Sequence, residues 1–140
     1  MSNEFEENKA TNPDFVDGRV KVDVKIIKAE DLQLEGKDSS KLYSFVQVAL
    51  DSDPKQTTKT NSIKGPNPEW NETFNLKIQD LESAVLLITV NSKEGNLSLT
   101  KPQVIGKRIK ISFLSFHYGE TKQVVKELHN KEDQYLGKLY

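Results

Sequence analysis

GPNPEWNETFNL, residues 65–76, sets a glycine and two prolines directly ahead of the chain's one tryptophan and then alternates polar residues with Phe74 and Leu76. Pro66 and Pro68 fix their own φ and bias Gly65 and Asn67 away from helix, so the chain enters the next strand at a set angle. Trp70 is placed to anchor that corner. Phe74, Leu76 and Ile78 then share one face, the period of a strand with one buried side.

The same period recurs on both sides of this stretch. Val20, Val22, Val24 and Ile26 alternate with Lys21, Asp23 and Lys25. Residues 30–41 are polar, with Gly36 and paired serines, and read as a loop; residues 43–50 are aromatic and β-branched and read as a strand. Residues 51–54 compose a turn, and residues 56–62 a threonine-rich edge or outward-facing strand. Downstream, residues 84–90 are almost continuously apolar, as in a strand covered on both sides. Residues 104–113 put Ile109, Ile111 and Phe113 on one face and Arg108 and Lys110 on the other. Residues 124–128 and 135–140 complete about eight short strands with turn signals between them, the pattern of an all-β antiparallel sandwich.

Composition bounds what such a domain can do. A chain of 140 residues, 35% hydrophobic, fills one core, expected over residues 18–140, with residues 1–17 as a flexible N-terminal arm. Twenty Lys plus Arg against 21 Asp plus Glu leave a net charge of −1, so no global field draws the chain to nucleic acid, and any electrostatic function is local. The absence of cysteine excludes a disulfide scaffold, a thiolate zinc site and a cysteine nucleophile. The acidic, polar start lacks the basic and apolar pattern of a secretory signal, and no run is apolar enough to span a bilayer, so the expectation is a soluble, cytoplasmic protein. Only His117 and His129 are available as bases, and neither meets a nucleophile or a metal-ligand partner at a meaningful spacing. No catalytic residue, metal site or cofactor is expected.

NPEWNETFNL resembles the signature of the C2 domain family: Asn-Pro, an aromatic, Asn-Glu and alternating aromatics. Residues 22–32 resemble that family's opening strand, residues 43–48 the strand after its first binding loop, Val104-Ile105-Gly106 the end of its third loop, and residues 136–140 its closing strand. The resemblance covers roughly residues 19–140 and implies an eight-stranded Greek-key sandwich. Its last strand stops short at Tyr140, which suggests a piece of a longer signalling or trafficking protein.

Calcium-dependent members of that family gather about five carboxylates at one end, because a hard cation takes six to eight oxygens. Carried over by position, those ligands fall on Glu35, Tyr43, Asn91, Lys93 and Gln103, so the resemblance implies a calcium-independent member. Glu35, Asp38 and Glu94 remain nearby and read as solvated loop acids. The same end then presents Leu34, Leu42, Leu97 and Leu99 among Lys37, Lys41, Lys64, Lys93 and Lys101, apolar tips beside positive charge that suit an anionic phospholipid surface. Equally, Leu97 and Leu99 read as packing back on the sandwich, with the lysines ordinary solvated surface. A second basic candidate is the outward sheet face with Lys55, Lys59, Arg108 and Lys110, where many members of the family bind phosphoinositide headgroups. The competing reading is a protein-interaction or docking module, with Phe113, Phe116 and Tyr118 as its apolar patch.

Overall fold

Strand β2 (Arg19–Glu30) exposes Lys21, Asp23 and Lys25 and turns Val22, Val24 and Ile26 inward, as period two requires. The structure, a computed structural model, describes residues 15–16, 19–34, 36–93, 101–114, 116 and 119–140. β2 pairs antiparallel with β6 (Glu69–Ile78), from Val20 opposite Ile78 to Lys28 opposite Glu69. On its other edge it meets the two-residue strand β1 (Phe15–Val16) at one end and β10 (Tyr135–Leu139) at the other, and β9 (Lys126–His129) flanks β10. The second sheet runs β4 (Asp53–Lys59), β3 (Tyr43–Leu50), β7 (Val85–Lys93), β8 (Gln103–Ser112), with the short β5 (Ile63–Lys64) also on β3. Among the described residues these are eight strands of four residues or more and two of two, in two antiparallel sheets. The chain is an all-β sandwich, and no helix among the described residues is long and apolar enough to cross a membrane.

The inner faces of the two sheets make one core. Val46, Val48 and Leu50 of β3 meet Ile26, Trp70 and Leu76 of the first sheet and Leu86, Ile88, Val90 and Ile109 of the second, all buried. Trp70 is 7% exposed and its indole N–H donates to the Ser44 carbonyl at 3.4 Å. Its ring lies within β6, whose ladder has begun one residue earlier. The rigid stretch before it is a clamp. The carbonyls of Pro66 and Pro68 accept from Leu32 and Ala29 N–H at 2.9 Å each, and Asn67 Oδ1 accepts from Asp31 N–H at 3.0 Å. These bonds fasten the start of the first long loop to the end of β2.

The closing strand is held at the same place. Gly137 has φ +128, and a Cβ there would lie 2.8 Å from the Glu30 carbonyl oxygen, so only glycine lets β10 approach β2 so closely. Tyr140 Oη donates to Glu30 Oε1 at 2.5 Å, and Lys28 Nζ lies 3.3 Å from the other oxygen of that carboxylate. The tyrosine hydroxyl, and secondly Lys28, hold the Glu30 carboxyl below its ordinary range; the same hydrogen bond pushes the Tyr140 phenol up.

Four sequence expectations change. Pro54 is in β4 and the turn shrinks to Asp51 and Ser52, because β4 forms an edge where a missing N–H costs little. Val85, Leu87 and Thr89 of β7 are half-buried, so that strand is covered on its inner side and only screened on its outer one. A single 3-10 turn, Ser39–Lys41, sits inside the loop expected over residues 30–41. Phe15–Val16 pairs with Arg19 and Val20 within the stretch expected as an arm; residues 1–14 and 17–18 lie outside the described residues.

Candidate functional site: a lysine-rich end and the sheet face beside it

Three connections meet at the end of the sandwich where β2, β3 and β7 leave their sheets. In the first, Asp38 caps the 3-10 turn, accepting from Ser40 N–H at 3.0 Å and Ser40 Oγ at 2.7 Å. The serine hydroxyl, then its amide, hold the Asp38 carboxyl below its ordinary range. This acid is occupied in shaping its own loop. Of the positions where the resemblance would set calcium ligands, Tyr43 is half-buried, Asn91 donates to the Thr89 carbonyl at 3.3 Å and Gln103 is exposed. Glu35 and Glu94 lie outside the described residues, among which no group of three or more acids and histidines is placed to hold a metal ion.

Lysines take up the space. A small cavity of about 120 Å³ opens between the loops, rimmed by Lys37, Lys93 and Lys101, walled by Ser92 and Gln103 and floored by Leu34 and Leu42. Around the corner, β3 turns Tyr43 and Phe45 outward. Register sets Tyr43 between Lys64 of β5 and Lys93 of β7, and sets Lys59 of β4 opposite Gln47. Lys59 Nζ and Lys93 Nζ lie 5.5 and 5.6 Å from the centre of the Phe45 ring, and Lys64 Nζ lies 5.9 Å from that of Tyr43. Each contact is worth about 0.5–1 kcal/mol at an exposed site, and each holds an ammonium over an aromatic face without neutralising it.

The sequence candidates regroup accordingly. Lys59, expected with the sheet face, joins Lys64 and Lys93, expected with the loops, in one array. Lys110 stands opposite Leu87, six positions along β7 from Lys93 and so about 20 Å away. Lys55 and Arg108 are exposed on β4 and β8, outside the aromatic array, and Lys41 is exposed at the end of the 3-10 turn. Leu42 is corrected: it is 4% exposed, an interior residue and not a tip. It keeps the inward parity of Ser44, Val46 and Val48, and its carbonyl accepts from Gly65 N–H at 2.8 Å. Leu97 and Leu99 lie outside the described residues. The two outward rings, Tyr43 and Phe45, went unnoticed as site residues; their odd parity opposite the buried even positions of β3 was the available signal. Of the expected aromatic patch, Phe113 is buried, Phe116 is half-buried and Tyr118 lies outside the described residues.

Known proteins agree with this architecture. The C2 domain family profile matches residues 20–128. A curated relative, Synaptotagmin-4 of Arabidopsis thaliana, is 33% identical over 78 residues, 54% of this chain; the chain spans 13% of that protein's length. A solved C2 domain of plant Extended Synaptotagmin 1 superposes with a TM-score of 0.74 at 30% identity, over 85% of this chain and 88% of that one. Human GIVD cytosolic phospholipase A2 shares the fold alone, with a TM-score of 0.66 at 20% identity over 85% of this chain and 16% of its own.

Proposed function

The chain belongs to the C2 domain family, and from that premise we propose that it is a non-catalytic targeting module of a larger signalling or trafficking protein, binding anionic phospholipid surfaces without calcium. The observation that carries this reading is the array of Lys59, Lys64 and Lys93 over Phe45 and Tyr43. Where calcium would bridge a carboxylate to a negative headgroup, Lys93 meets the headgroup with its own charge. Three lysines at about 1 kcal/mol each supply ~3 kcal/mol of attraction to an anionic leaflet before ordering costs. That is weak alone and additive with a second attachment in the same protein. The relatives named as synaptotagmins support a membrane role, since they share this family.

Co-sedimentation with phosphatidylserine or phosphoinositide vesicles, in the presence of a calcium chelator, tests the proposal. Binding should persist in chelator and fall as salt rises, because exposed charges are screened beyond about 8 Å at physiological ionic strength. Binding that appears only on adding calcium would refute it, as would equal sedimentation with neutral and anionic vesicles.

A further inference from the structure

The second edge of β2 is occupied at both ends and open between them. β1 covers Arg19 and Val20, and Tyr140 pairs with Ile27 N–H and the Lys28 carbonyl at 3.0 and 2.9 Å. Among the described residues no strand pairs with this edge from Lys21 to Ile26, a length of about 20 Å. Since Ile27 N–H points along this edge, ladder alternation turns the N–H and C=O of Lys25 and Asp23 the same way. Beside that edge lies a groove of about 530 Å³. Val22, Val24 and Ile26 form one wall, Ile88, Ile109 and Ile111 of the second sheet form the floor, and residues 124–126 form the far wall. Val125 is 51% exposed there.

An apolar trough beside an open row of backbone donors and acceptors fits one shape of ligand, an extended chain. Charge narrows its chemistry. Lys25, Lys28, Lys122 and Lys126 line the groove against a single carboxylate, Asp23, which is already bonded by the Asn75 amide. Lys25 and Lys126 flank the path on its two sides. We propose that this groove docks an extended peptide segment of a partner protein, added antiparallel to β2 in continuation of the β10 ladder. Its bulky apolar side chains face Val22, Val24 and Ile26, and a carboxylate stands opposite Lys25.

The probe is a capped eight-residue peptide alternating valine with glutamate, titrated into the full 140-residue chain while backbone amide exchange is followed by NMR. Exchange at Asp23 and Lys25 should slow by about tenfold or more at saturation, as for amides newly placed in a ladder. The same peptide N-methylated at every second residue, on the edge that faces β2, should give no protection. Lys25→Glu with Lys126→Glu, both at the surface, should weaken binding of the unmethylated peptide by about tenfold or more. Unchanged exchange, or equal binding of the methylated peptide, overturns the proposal. Two other outcomes also overturn it. If both amides are protected in the free chain and released on deleting residues 1–14, the groove belongs to the chain's own N-terminus. If protection rises with protein concentration alone, it belongs to a second copy.

Discussion

The two sides of β3 divide the molecule's work. Ser44, Val46, Val48 and Leu50 point into the sandwich and are at most 2% exposed, whereas Tyr43 and Phe45 point outward and carry lysines. Neighbouring residues on one backbone thus answer to different physics. The inward set is fixed by packing, where a lost methylene leaves a void. The outward set is fixed by charge and solvation, where a reversed charge leaves the fold alone. Changes inward should therefore move stability without altering what the folded protein binds, and changes outward should do the opposite.

The largest effect expected is inward. Trp70→Ala should cost roughly 3–5 kcal/mol, the range for truncating a buried large aromatic. Chemical denaturation measures it, and a midpoint that scarcely moves would remove Trp70 from the interior side of the comparison. Next comes Gly137→Ala, which combines a positive φ with a Cβ 2.8 Å from the Glu30 carbonyl oxygen. A penalty of about 2 kcal/mol is expected, typical of a residue forced into such a backbone region. Vesicle binding of the remaining folded protein should match wild type.

Outward, Lys59→Glu with Lys93→Glu should lower the vesicle partition coefficient by more than about tenfold, as the loss of ~2 kcal/mol implies. The unfolding free energy should stay within about 0.5 kcal/mol. Lys110→Glu, at the far end of the same face, is the sharpening control: it should change partition by less than about twofold if attraction is local to the array. Equal effects of Lys110 and Lys93 would replace the array with a diffuse basic face.

The smallest effect belongs to another surface cluster. His129 Nε2 lies 3.0 Å from Glu127 Oε1, and that carboxylate raises the imidazole pKa above its ordinary 6.5, with the Asp133 carbonyl adding to the rise. A group raised on folding contributes stability that is complete below its unfolded pKa and is lost as pH rises through its folded pKa. Glu127→Gln should bring the NMR titration midpoint of His129 back toward the ordinary value and flatten this slight dependence. An unmoved midpoint would assign the rise to the Asp133 side.

Parity made most of the fold legible. The alternations of β2, β6 and β8 each named their buried faces, because a half-buried strand must read apolar and polar in turn. Leu42 was misplaced for a related reason. It falls outside the regular strand, inside a polar loop, yet it still obeys the inward parity of β3. The site was legible only as a set of lysines. Which of them gather depends on register, and no local pattern announces that Tyr43 stands between Lys64 and Lys93, residues far apart in the chain. The aromatic partners were visible as strand residues and needed the sheet to become a site.

The hydrogen bond from Tyr140 to Glu30 joins residues 110 positions apart, and that separation has a kinetic consequence. Closing so long a loop must precede any reward from the contact, which delays the β2–β10 ladder relative to the hairpins between them. During synthesis at about 5–20 residues per second, the first long strand waits on the order of ten seconds for its last partner to leave the ribosome. Throughout that interval the second edge of β2 is open along its whole length, the condition under which strands pair with the wrong chain. The lysines at positions 21, 25 and 28 stand along that strand from its first appearance, and their mutual repulsion between copies guards it until Tyr140 arrives.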